Sequence, residues 1–229
     1  MSLKAYRLLQ QVEVVIGYKT YIELISELLS ADQEIIKSKM TEEVERANLV
    51  IDLARKGKSV AIISSGDPGV YGMAGLILEV REKRRLAELE VEIVPGITAA
   101  SAAAASLGAP LMHDYAVISL SDLLTPWEVI EGRLKEAARA DFVAALYNPK
   151  SSRRTEQIEI ARDIFLEYRD STTPVGIVRS AKRGNEEVTI TSLADMLEEK
   201  IDMLTTVIIG NSESYQSSNF LITPRGYQL

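Results

Sequence analysis

The sequence predicts an α/β fold built largely on parallel strands. Three observations carry that expectation: short Val- and Ile-rich runs recur with the length of buried strands, segments of helical period lie between most of them, and four of the runs end in polar turns. In order, the runs are 13–17 (EVVIG), 58–64 (KSVAIIS), 89–95 (LEVEIVP), 115–120 (YAVISL), 141–147 (DFVAALY) and 173–178 (TPVGIV). The helical segments are Tyr18–Leu29, Glu42–Lys56, Tyr71–Leu86, Ala99–Leu107, Pro126–Ala138 and Arg154–Tyr168. Thr125 with Pro126 and Glu128 reads as a capping box at a helix start, and Thr41-Glu42-Glu43 as a weaker cap. Residues 187–191 (EVTIT) alternate polar and apolar, so the second half is expected to hold a mixed sheet. The non-helical joint Gly108-Ala109-Pro110-Leu111-Met112 divides the chain into 1–112, on a parallel sheet, and 113–229.

Of the 229 residues 46% are hydrophobic, enough for a substantial core, and 26% are charged. No run approaches the roughly 20 apolar residues of a membrane-spanning helix, and the first residues lack a signal-peptide pattern, so a cytoplasmic protein without membrane association is expected. The absence of cysteine rules out disulfides, thiolate metal sites and a cysteine nucleophile. A single histidine rules out His-rich cages, and no metal site is expected. The net charge of −7 argues against a nucleic-acid partner held by a wide basic surface. Basic residues do gather at Lys150, Arg153 and Arg154, and at Arg179, Lys182 and Arg183, either as solvated loop charge or as a local basic cleft.

The chemistry-bearing segments are the strand ends. At 62–73 a buried strand runs through Ser64-Ser65-Gly66-Asp67-Pro68-Gly69-Val70 into a helix; in a parallel sheet this is the end where ligands bind. Gly66 and Gly69 let backbone approach a ligand closely, and the Asp67 carboxylate can accept from hydroxyls or an amine, although a plain type I turn would use the same residues. Residues 94–102 repeat the design: a strand, a Pro-Gly turn, then a helix of very small residues. Close packing of that helix on a sheet explains them equally well. Further strand ends lie at Tyr147-Asn148-Pro149 and Val178-Arg179-Ser180, and four such ends suggest one shared cleft.

The stretches GDPGVYGMA, VPGITAASAAAASLGAPLMHDYAVISLSD, YNPKSSRR and IVRSAKRGNEE resemble the tetrapyrrole (corrin/porphyrin) methylases over nearly the whole chain. VIGYKTYIELI, LGAPLMHDY, ALYNPKS and IGNSESY are most similar to the members that methylate carbon 17 of precorrin-3B. The resemblance implies two α/β domains with the active-site cleft between them and S-adenosyl-L-methionine bound there, in a homodimer. By position, Gly66, Asp67, Val70, Thr98 and Ala99 would bind the cofactor from one side, and Tyr147, Asn148 and Ser180 from the other. His113 or Asp114 would serve the proton transfers of the ring contraction that accompanies methylation. The basic clusters would face the carboxylates of a tetrapyrrole, precorrin-3B or cobalt-precorrin-3, the presence of cobalt being left open. The family opens with a strand and a Gly-x-Gly-Pro-Gly loop ahead of the segment matching Leu3-Lys4-Ala5, and this N-terminal strand is expected to be missing from the sequence. Other readings are methylation of a different corrin carbon, of diphthine or of ribosomal RNA, or a non-catalytic ligand-binding scaffold.

Overall fold

A computed structural model describes residues 1–39 and 41–228. By internal contacts the chain divides into Met1–Thr98 and Ala99–Leu229, earlier than the joint at 108–112 that the sequence suggests.

The first unit opens with α1 (Leu3–Leu9), capped by Ser2, whose hydroxyl accepts from the Ala5 amide at 3.2 Å. There follow β1 (Val14–Tyr18), α2 (Lys19–Leu24), β2 (Glu34–Ser38), α3 (Glu43–Arg55), β3 (Val60–Ile63) and α4 (Ala74–Lys83). The three strands are parallel in the order β2-β1-β3, with Val14 opposite both Glu34 and Val60. Central β1 is covered on both faces, as its unbroken apolar run requires. Val14 and Ile16 pack with Ala47, Val50, Ile51, Ile77 and Val80, while Val15 points the other way, to Leu9 and Ile22.

Several expectations are corrected here. Residues 89–95, read as a strand, form no ladder with any described strand and are mostly exposed. The helix expected over Tyr18–Leu29 breaks into α2 and a 3₁₀ turn at Ser26–Leu28. At the start of α3 the cap position falls on Glu42, whose carboxylate instead accepts from the Lys39 amide at 2.8 Å.

The second unit comprises α5 (Ala99–Leu107), β4 (Gly108–Ala109), β5 (Tyr115–Ser119), α6 (Trp127–Arg139), β6 (Val143–Tyr147), α7 (Gln157–Leu166), β7 (Pro174–Arg179), β8 (Glu187–Ser192), β9 (Thr205–Ile209), β10 (Tyr215–Ser217) and β11 (Phe220–Ile222). Its main sheet runs β5-β6-β9-β7-β8, with β5 and β6 parallel and β9 antiparallel to both β6 and β7, so it is mixed as expected. On one face Ile130 and Leu134 of α6 and Ile158 and Phe165 of α7 meet Leu146, Ile177 and Val207. Spacings of four residues in α6 and seven in α7 are those of an amphipathic helix, and Glu131 and Lys135 pair at 2.6 Å on the outer side of α6. The capping box does not form, because Pro126 stays extended and its carbonyl receives the Val129 and Ile130 amides.

The other face is covered by α5, where Ala100, Ala103 and Leu107 meet Val143, Ala145, Val178 and Ile208. The approach is so close that a Cβ on Gly176 would lie 2.3 Å from Leu107 Cδ1. The small residues of α5 therefore serve close packing, and that packing is why the helix belongs to the second unit rather than to 1–112. Beneath the sheet the Arg169 guanidinium donates to the carbonyls of Gly210 and Phe142 and lies 4.8 Å from the Phe165 ring centroid. Burial pushes this guanidinium down to about 10, against the pull of Asp141 at 3.6 Å. Among the described residues no helix is long and apolar enough to cross a membrane.

Candidate functional site

In the first unit the site is the loop that follows β3. Gly66 takes φ +74°, a value that suits glycine, and Tyr71 takes +53°. The loop is closed by its own backbone and one hydroxyl. Val70 N donates to Asp67 O at 3.2 Å, Ala74 N to Pro68 O at 3.0 Å, and Met73 N to Ser64 Oγ at 3.2 Å. Asp67 is the centre of this arrangement. Its Oδ1 accepts from Gly69 N at 2.8 Å and its Oδ2 from Gly96 N at 2.9 Å, so one carboxylate joins the Gly-Asp-Pro-Gly turn to the Pro-Gly turn ahead of Thr98. The two turns touch backbone to backbone, since a Cβ on Gly96 would sit 2.0 Å from Gly66 O. Spacing alone could not show that Asp67 spends two acceptor positions on the protein itself.

In the second unit the carboxyl ends of β5, β6 and β7 carry the corresponding set. Tyr147 Oη accepts from the Ala100 amide at 2.6 Å and so caps the first turn of α5, which Ala99 opens. Asn148 takes φ +50°. Its Nδ2 donates to Ser119 Oγ at 2.9 Å, and its carbonyl accepts from Arg154 Nη2 at 2.7 Å. Ser180, only 3% exposed, takes φ +54°, its amide donating to Leu204 O at 2.9 Å. Two non-glycine residues in the left-handed region, each just beyond the carboxyl end of a strand, mark strain held by the surrounding packing.

The structure does not bring His113 and Asp114 to these ends. Both precede the amino end of β5, and Tyr115 to Ser119 alone spans roughly 13 Å at about 3.3 Å per residue. His113 Nδ1 accepts from the Asp114 amide at 2.9 Å, and both side chains are exposed. The basic clusters divide as well. Arg179 is engaged by Asp202 at 2.7 Å and Glu187 at 3.4 Å, its charge stabilised chiefly by the Asp202 hydrogen bond, and Arg154 is committed to Asn148. Arg154 and Arg46, neither read from the sequence as a supporting residue, both stand behind strand ends. For Arg46 a signal existed: helical spacing puts it on the face of α3 that carries Val50, where a charge is out of place.

Glu186 fixes the loop after β7 to α5. Its carboxylate accepts from the Ser106 hydroxyl at 2.6 Å and from the Lys182 amide at 2.7 Å, and these bonds, the Ser106 one first, hold its pKa below the ordinary 4.5. The stabilisation is therefore complete above pH 4.5 and is lost as pH falls through the depressed value. Glu186→Gln should lower the melting temperature at pH 7 and flatten the acid limb of the stability profile; an unchanged limb would show that the contact contributes nothing.

Residues 1–197 match the family Tetrapyrrole (Corrin/Porphyrin) Methylases. The chain belongs to the tetrapyrrole methylases. This methylase is 55% identical over 228 residues to the cobalt-factor III methyltransferase of Priestia megaterium, with 98% of the chain but 42% of that protein matched. It is 49% identical over 229 residues to the probable cobalt-factor III C(17)-methyltransferase of Salmonella typhimurium, with 100% of the chain and 94% of that protein matched. The methylase thus spans less than half of the first relative and nearly all of the second. Among solved structures, the methyltransferase CobJ superposes with a TM-score of 0.91 at 33% identity, covering 98% of this chain and 93% of that one. The uroporphyrin-III C-methyltransferase of Thermus thermophilus, solved with S-adenosyl homocysteine, gives 0.69 at 26% identity, covering 92% and 90%. The α/β architecture of this methylase is that of CobJ.

Proposed function

We propose that this chain transfers a methyl group from S-adenosyl-L-methionine to carbon 17 of cobalt-factor III, or of its precorrin-3 counterpart, with contraction of the ring, in cobalamin biosynthesis. The support is the 49% identity over 229 residues to a relative of that name, 94% of whose length is matched. The cofactor fits the residues present. The Asp67 carboxylate has two of about four acceptor sites committed to Gly69 and Gly96, leaving capacity for a ribose hydroxyl or an ammonium group. Gly66, Gly69 and Val70 offer backbone, and Thr98 and Ala99 follow the stapled turn. Tyr147, Asn148 and Ser180 offer a second set of strand-end groups, which we also assign to cofactor binding, in a homodimeric enzyme.

When bound, the cofactor would supply an electrophilic methyl group on its sulfonium sulfur, which would leave with its electron pair as S-adenosylhomocysteine, and the ring would release one proton for the methyl group it gains. The protein's task is then to align the two partners and exclude water, with no covalent enzyme intermediate. Rigid turns answer that need better than a reactive side chain. Lys150, half-buried, and Arg153, exposed, are not engaged like Arg154 and Arg179 and are the cations we assign to substrate carboxylates. Incubation with S-adenosyl-L-methionine and cobalt-factor III should give a product heavier by one methylene. Neither methylation nor binding of S-adenosylhomocysteine would leave a scaffold as the better reading.

The proton transfers of contraction have no support at His113 beyond its imidazole. General acid-base assistance is worth about 10²- to 10⁴-fold, so the His113→Ala variant decides the point. We expect turnover within about twofold of the parent and unchanged S-adenosylhomocysteine affinity; a loss of the acid-base order would return His113 to the mechanism.

A further inference from the structure

The least economical side chain of the first unit is Arg46. It is 5% exposed, yet its Nε has no hydrogen-bond partner among the described residues. Its Nη1 donates to Ser38 Oγ and, at 3.3 Å, to Lys39 O; its Nη2 reaches Met73 Sδ at 3.7 Å and Glu43 Oε1 at 3.5 Å. Ser38 Oγ in turn donates to Gly17 O at 3.2 Å. The guanidinium thus joins the carboxyl end of β2, and through Ser38 that of β1, to Met73, where the loop after β3 turns into α4.

As a stabiliser this is a poor choice. Burying a cation is costly, an unsatisfied N–H adds to the cost, and apolar residues of similar volume often do as well or better in such places. As a spacer it is a good one. The guanidinium is planar, with donors at fixed angles, so contacts to Ser38, Lys39 and Met73 fix a distance that a flexible apolar chain would leave free. We propose that Arg46 is a positioning residue that sets the Gly66–Met73 turn in the form that receives the cofactor. The proposal rests on the cofactor reading above.

The test uses Arg46→Met, of similar length without charge, and Arg46→Lys. With no ligand added, amide exchange at Val70, Met73 and Ala74 should be at least about fivefold faster in Arg46→Met, while α7 exchanges as before. The melting temperature should not fall, and S-adenosylhomocysteine should bind at least about tenfold more weakly, as isothermal calorimetry reads it. Arg46→Lys, which keeps the charge and can keep one contact, should recover part of that affinity. Unchanged exchange at Met73 and Ala74 in folded Arg46→Met would overturn the proposal, as would faster exchange throughout both units with a matching fall in melting temperature. If Arg46→Met does not fold, Arg46→Lys decides alone: parental exchange and affinity would show that no fork is needed. Should the parent itself fail to bind S-adenosylhomocysteine, the proposed function fails, and the ligand-free exchange still judges Arg46.

Discussion

Asp67→Ala is expected to weaken S-adenosylhomocysteine binding and to lower the melting temperature together. Removing the carboxylate takes the partner from two amides, the exposed one of Gly69, which water can reach, and the part-buried one of Gly96, which is stranded. An unsatisfied donor costs about 1 to 3 kcal/mol where water cannot replace the partner, and in a chain of this length each kcal/mol is worth about 2 to 4 °C. The turns then lose their common anchor, so affinity should fall by about 10- to 100-fold, beyond any contact the carboxylate makes with the ligand itself. Asp67→Asn should not rescue, because the amide side chain offers one acceptor and turns its NH₂ group toward the other N–H. Weaker binding at an unchanged melting temperature would mean that the carboxylate serves the ligand and not the turns.

Gly96→Ala should be the more damaging change to the same place. The three atoms nearest to an added Cβ there are all backbone, with Gly66 O at 2.0 Å, Gly66 C at 3.0 Å and Asp67 Cα at 3.3 Å, so rotating a side chain cannot relieve them. The turns must separate by an ångström or more. Overpacking of this kind costs typically about 1 to 3 kcal/mol, and a misplacement of that size near a reacting centre can cost on the order of 10²-fold in rate. Thermal melting and calorimetry with S-adenosylhomocysteine check both halves. A variant with parental stability and affinity would show that the two turns do not need to touch.

Much of this was legible in the sequence, for reasons that can be named. The centres of the runs at 141–147 and 173–178, residues 143–146 and 174–178, are buried on both faces, and their composition says so without help from neighbours. Ala99–Leu107 was bounded to the residue, because the Pro-Gly turn before it and Gly108 after it are strong punctuation. Where pairing decides, composition fails. Residues 89–95 have the Val and Ile content of a strand yet make no ladder, whereas Glu34–Ser38, with charges at Glu34 and Lys37, is paired along its full length to β1. Thr205–Ile209 went unread although it is wholly buried. At the site, residue types marked the right turns and said nothing of direction. Asp67 reads as a ligand residue and is also a staple, while Tyr147 reads as a cofactor contact and caps a helix.

The order of the second unit's sheet governs how it can be made. β9 lies between β6 and β7 and is synthesised after both, 30 residues beyond the end of β7 by the difference between Ile209 and Arg179. Until it emerges, two strands that end up buried each have an open side and no neighbour to share. At synthesis rates of roughly 5 to 20 residues per second the exposure lasts on the order of seconds, long compared with hairpin formation and long enough for chaperone capture or for wrong pairing of β6 with β7. The first unit closes its three strands by residue 63 and has no such wait. Nascent chains arrested shortly before residue 205 should therefore be protease-resistant in the first half and open in the second, a vectorial asymmetry written into strand order alone.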